Sequence, residues 1–92
     1  MEKQEQSRIL TIRNNLGLHA RPAALLVKTA CQYQAEIKIK HDKTEIDGKS
    51  ILGLMTLAAE EGANLAFIAR GVDAADALNA IEQLFEDGFG EK

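Results

Sequence analysis

Apolar residues recur at two different periods along this chain, and the order in which the periods alternate restricts the fold more tightly than composition does. Leu10 and Ile12 alternate with Thr11 and Arg13, and Ile37 and Ile39 with Lys38 and Lys40, the two-residue period of half-buried antiparallel strands. Between them, Ala23, Leu26, Val27 and Ala30 fall at i, i+3, i+4 and i+7, the inner stripe of a helix. A polar turn at 41–43 leads to a short strand at 44–46, after which Asp47 and Gly48 supply turn chemistry. Ser50 suits the N-cap of a short helix in the apolar stretch 51–59, with Gly53 weakening its interior and Gly62 as its stop. A fourth strand at 64–70 is broken by Gly71. Asp73 then caps a last helix whose Ala74, Ala77, Leu78, Ile81, Leu84 and Phe85 share one face and which Gly88 ends. The order βαββαβα predicts an α+β fold in which a four-stranded antiparallel sheet is covered on one face by three helices.

At 92 residues the chain reads as a single domain, 1–92, with the first six residues as a loose extension and room for one modest core. Cys31, the one cysteine, excludes an intramolecular disulfide and reads as a small, partly buried hydrophobe. The charged, polar start is unlike a signal peptide, and no apolar run approaches the roughly 20 residues that span a bilayer, so a cytoplasmic protein without a membrane partner is expected. A net charge of −3 and only four aromatic residues argue against nucleic acid. His41 reads as a surface residue in a turn. Neither a paired-histidine spacing nor a cysteine pair predicts a metal, and no cofactor is expected.

The chemistry concentrates at Gly17 to Ala23, where His19 and Arg21 stand just ahead of and just inside a helix that Pro22 helps to start. Backbone N–H groups at such a start lack intrahelical partners and carry the positive end of the dipole, so they attract an anion. Neutral imidazole is itself a nucleophile, and with a reference pKa of about 6.5 most of an unperturbed histidine is neutral at pH 7. Arg21 adds a permanently charged planar fork for phosphoryl oxygens. A hydrogen bond to a charged group contributes about 1.5–3 kcal/mol, against about 0.3–1 kcal/mol for a helix dipole, so Arg21 outweighs the dipole.

These residues, Asn15 to Ala23 reading NLGLHARPA, resemble the active-site sequence of the HPr family, the histidine-phosphorylated carriers of the bacterial phosphotransferase system. Gly48 to Leu57, GKSILGLMTL, is similar to that family's second motif around a regulatory serine, and with the element order the resemblance covers nearly the whole chain. It implies the HPr-like open-faced sandwich. It also implies a phosphocarrier, rather than a free-standing enzyme, that takes a phosphoryl group on Nδ1 of His19 from phosphorylated enzyme I. The group would pass to a downstream enzyme II A-type domain or related regulator. Leu18, Pro22, Leu25, Leu52 and Met55 would then form the docking patch, with Arg21, Lys28 and Lys49 as basic neighbours. Leu52 stands where methionine or phenylalanine is common, and Leu54 where valine is common. Such carriers serve either sugar uptake or a nitrogen-related regulatory branch, and the ending LFEDGFGEK resembles carriers of the second.

Ser50 has two readings. As an N-cap it contributes about 0.5–2 kcal/mol relative to alanine with no regulation involved. As a target of an HPr kinase/phosphorylase it would gain an anion that the dipole tolerates and that disrupts apolar docking. The alternative to a carrier is therefore a regulatory protein-binding module controlled at Ser50.

Overall fold

The computed structural model describes residues 4–91. Its elements are β1 (Glu5–Thr11), α1 (Ala20–Ala30), β2 (Glu36–His41), β3 (Thr44–Asp47), α2 (Ile51–Thr56), β4 (Asn64–Arg70) and α3 (Ala74–Glu86), closed by a 3-10 turn at Gly88–Gly90. The strands form one sheet in the order β1-β4-β2-β3 with every neighbouring pair antiparallel. β2 and β3 are joined through a tight turn in which Asp42 takes φ +54°, while β4 returns to pair with β1 from Glu5↔Arg70 to Thr11↔Asn64.

The strand alternation places Leu10, Ile37, Ile39, Leu65, Phe67 and Ala69 in the core, whereas Ile9 lies 71% exposed. The helical stripes face them: Ala23, Leu26 and Ala30 of α1, and Ala74, Ala77, Leu78, Ile81 and Phe85 of α3, are buried. Phe85 sits at the centre, edge-on to Phe67 with centroids 5.5 Å apart and tilted against Phe89 at 5.0 Å. The α+β open sandwich with helices on one face is thus the observed architecture.

Several local expectations change. Glu5 and Gln6 are not loose, because they pair with Arg70 and Ala69, and the Gln4 carbonyl accepts from Gly71 N–H; residues 1–3 of that expectation lie outside the described residues. Ile12 lies just beyond β1 yet continues its pairing, donating to the Ala63 carbonyl and accepting from Gly62 N–H. The stretch 51–59 is a short helix followed by irregular structure: α2 ends at Thr56 with Leu57 as its C-cap, and Gly62, engaged by Ile12, lies beyond it rather than at its stop. Asp73 occupies the N-cap position of α3 without capping it: its carboxylate instead accepts from the amides of Gln34 and Ala35 at 2.8 Å each, tying the loop after α1 to α3. Those backbone donors hold the Asp73 carboxyl below the usual carboxylate range. Cys31, at the C-cap of α1, is exposed rather than partly buried. His41 ends β2 half-buried, its ring 3.8 Å from the Asp42 carboxylate. Ser50 caps α2 as expected, accepting from Gly53 N–H at 3.0 Å.

Candidate functional site

His19 is the N-cap of α1, with extended backbone (φ −82°, ψ −170°), and its carbonyl accepts the first intrahelical bond, from Ala23 N–H at 3.0 Å. The amides of Ala20 and Arg21 precede that bond, Pro22 has no N–H to satisfy, and the His19 side chain makes no capping hydrogen bond. The positive end of α1 therefore opens beside the imidazole.

The loop that delivers His19 is pinned from both sides. Gly17 takes φ +70° and donates to the Asn14 carbonyl at 3.2 Å, and Leu18 N–H donates to the Ala59 carbonyl at 2.9 Å. A Cβ at position 17 would lie 2.5 Å from the Ala59 oxygen and 2.9 Å from Glu60 Cα, both backbone atoms that cannot rotate away. Gly17→Ala should therefore destabilise the protein by roughly 1–3 kcal/mol and displace the ring of His19. Urea unfolding and the His19 ring resonances check this, and an unaltered midpoint would show that the loop accommodates a methyl.

The chain end supplies a partner that no periodicity indicates. Glu91 lies with Oε1 3.0 Å and Oε2 2.9 Å from His19 Nε2. Oε1 also accepts from Asn14 Nδ2 at 2.9 Å, while the same amide donates to the Gly17 carbonyl at 2.8 Å. The His19 hydrogen bond, then that of Asn14 and the nearby charge of Arg21, hold the Glu91 carboxyl below the usual glutamate range. An ionised carboxylate only accepts, so Nε2 carries the hydrogen and Nδ1 of a neutral ring keeps its lone pair. Because the folded-state pKa of Glu91 is depressed, the contact stabilises the fold above the ordinary glutamate range and is lost as pH falls through the lowered value. Glu91→Gln should accordingly flatten the acid limb of the stability-against-pH curve, measured by denaturant midpoints; an identical acid limb would contradict it.

Arg21 is exposed on the first turn of α1, and together with Asn15, Leu16 and Glu91 it lines a groove of about 380 Å³. The expected docking residues separate into three kinds. Leu52 and Met55 on α2 are exposed, at 77% and 45%, as is Lys28 on α1. Leu25 is half-buried against the core, and Lys49 is half-buried with Nζ donating to the Tyr33 carbonyl at 2.7 Å. Leu18 and Pro22 do not lie on the surface expected of docking residues: both are buried, Leu18 at 4% in the loop whose amide bonds the Ala59 carbonyl and Pro22 on the first turn of α1. Leu16, 74% exposed in the same loop, and Ile51, 41% exposed at the start of α2, are the apolar residues that the sequence reading overlooked. A loop has no period to say which of two leucines two positions apart faces solvent.

A family model described as "PTS HPr component phosphorylation site" matches residues 6–87. The phosphocarrier protein HPr of Treponema pallidum is 41% identical over 86 residues, covering 91% of this chain and 98% of that protein. Among solved structures, HPr-C-His from Thermoanaerobacter tengcongensis superimposes with a TM-score of 0.91 at 38% identity, covering 95% of this chain and 98% of the other. The phosphocarrier protein HPr of Bacillus anthracis gives a TM-score of 0.84 at 34% identity, over 88% and 96% of the two chains.

Proposed function

Because this chain belongs to the HPr family of phosphotransferase-system phosphocarriers, we propose that His19 is its phosphoryl acceptor, loaded on Nδ1 by phosphorylated enzyme I and unloaded to an enzyme II A-type domain or related regulator. In the loading step the Nδ1 lone pair attacks phosphorus in line as the donor's N–P bond breaks, the bonding pair leaving with the donor imidazole. The Nε2 hydrogen stays in place, so the His19 ring becomes an imidazolium paired with the Glu91 carboxylate while the donor ring, cationic in its phosphorylated form, leaves as neutral imidazole; unloading reverses the roles. The observation that carries this reading is the Glu91 contact at Nε2, 2.9 Å away, which leaves Nδ1 as the nucleophilic nitrogen of the neutral ring. Arg21 and the Ala20 and Arg21 amides hold the transferred oxygens, and their positive charge favours the anionic adduct.

A carrier that both accepts and donates needs an adduct that is neither deeply enclosed nor strongly stabilised. A His19 side chain 36% exposed on a small domain meets that need. Membership of the family supports cytoplasmic work as a transient phosphohistidine protein, and no helix among the described residues is long and apolar enough to cross a membrane.

A second reading adds control at Ser50 by an HPr kinase/phosphorylase. It is favoured by the hydroxyl's place at the N-cap of the helix that carries exposed Ile51, Leu52 and Met55. A phosphate there would sit beside the apolar surface that a partner covers.

The deciding experiment is the intact mass after incubation with enzyme I, magnesium and phosphoenolpyruvate, with His19→Ala alongside. An acid-labile phosphate adduct, absent from the variant, is expected. With a donor verified on another carrier, lack of the adduct would leave the Ser50-controlled binding module as the better account.

A further inference from the structure

We infer that Asn14 is a positioning residue for the transfer step, acting through Glu91 and the Gly17 carbonyl to fix which nitrogen of His19 meets the phosphoryl group; this rests on the reading of His19 given above. Asn14 follows the first strand and is 1% exposed, the one polar side chain among the buried residues described. Both of its N–H bonds are used, one on Gly17 O at 2.8 Å and the other on Glu91 Oε1 at 2.9 Å. Its orientation is set by chemistry, because a flipped amide would turn its oxygen toward a carbonyl and a carboxylate, neither of which can donate. The chosen orientation leaves Oδ1 buried without a partner. A site under packing demands alone has no reason to hold a half-satisfied amide.

The two donated bonds join the pieces that have to agree for His19 to present Nδ1. One closes the loop two residues ahead of the histidine. The other holds a carboxylate delivered by the far end of the chain, through a segment in which Gly88, Phe89 and Gly90 take φ of +59°, +54° and +74°. Phe89 is buried and anchors that segment at its middle. Beyond it, the hydrogen bonds from Asn14 and His19 fix the carboxylate, with Arg21 the nearby charge. Without the Asn14 donors the carboxylate is tied only to the ring it is supposed to orient.

The test is a double-mutant cycle of Asn14→Ala, Glu91→Ala and the double variant, each checked for fold by circular dichroism. It is read twice: from the ¹⁵N shifts of the neutral His19 ring, which report the tautomer and the Nε2 hydrogen bond, and from single-turnover phosphorylation by enzyme I. Asn14→Ala should lower the Nε2–H population and slow phosphorylation on the order of tenfold. Added to Glu91→Ala it should do distinctly less than it does alone, since the Glu91 route is already gone and only the Gly17 bond remains to be lost. In Asn14→Ala the Glu91 carboxyl should also titrate closer to an ordinary glutamate. Additive effects, or a ring spectrum and Glu91 titration unchanged by Asn14→Ala, would overturn the inference. Should the alanine variant fail to fold, Asn14→Ser carries the same cycle. The ring spectrum is taken on unphosphorylated protein, so failure of His19 to accept phosphate would refute the carrier reading while the Asn14–Glu91–His19 linkage is still decided.

Discussion

Arg21→Ala should slow phosphoryl transfer to and from His19 by roughly ten- to a hundred-fold, the loss of a charge-assisted hydrogen bond of about 1.5–3 kcal/mol in the transition state. The fold should survive. Arg21 is exposed on the first turn of α1, and its replacement removes no buried contact. On the proposed reading its value would lie in where charge develops: the transferring group spreads negative charge over three oxygens, and a planar fork can meet two of them at once. Arg21→Lys should recover part of the rate, since an ammonium keeps the charge but loses the fork. Rapid-quench single turnovers with phosphorylated enzyme I, beside thermal melts, measure both. An unchanged rate would remove Arg21 from the site, and a lost melt would make its role structural.

Phe85→Ala should lower stability by about 3–5 kcal/mol, a large part of the 5–15 kcal/mol typical of a whole domain. The ring is 2% exposed and touches Phe67 of β4 on one side and Phe89 of the chain end on the other. Its loss leaves a cavity that three elements would have to move to fill. The consequence reaches the site, because Phe89 anchors the turn that carries Glu91 to His19. Urea unfolding should show the drop, and the Glu91 carboxyl resonance should lose its shifted titration. A cost below about 1 kcal/mol would mean the core repacks far more freely than its close packing implies.

The strands, the helical stripes and the Ser50 cap were legible because each is a local pattern with one physical cause: a buried face repeats at the period of its own element. The candidate phosphoryl acceptor was legible too, since Pro22 marks the helix start and His19 precedes it by three positions. What escaped depends on residues distant in sequence. Glu91 and His19 meet across 72 positions, and the turn that joins them places a non-glycine residue, Phe89, at positive φ because its ring is held by Phe85. Nothing in GFGE announces that. Asp73 misled for a related reason: an aspartate ahead of a helix suits a cap, but the amides of Gln34 and Ala35 arrive by tertiary packing and take both carboxylate oxygens. Leu18 misled because side chains in an irregular loop follow no period, and the loop's bond to Ala59 is a tertiary contact that sequence does not encode locally.

The strand order also dictates when the site comes into existence. The β2–β3 pair closes over a turn of two residues and needs only microseconds, whereas β1 can dock only after β4 has been made, since it pairs with nothing else in the sheet. His19 follows β1 and its partner Glu91 follows α3, so the first and last parts of the chain are both required before the imidazole is oriented. Loop-closure entropy disfavours that contact until the elements between have folded. A half-folded chain in which α3 has not docked therefore lacks the carboxylate contact at His19, and the orientation of the imidazole doubles as a report that the domain has closed.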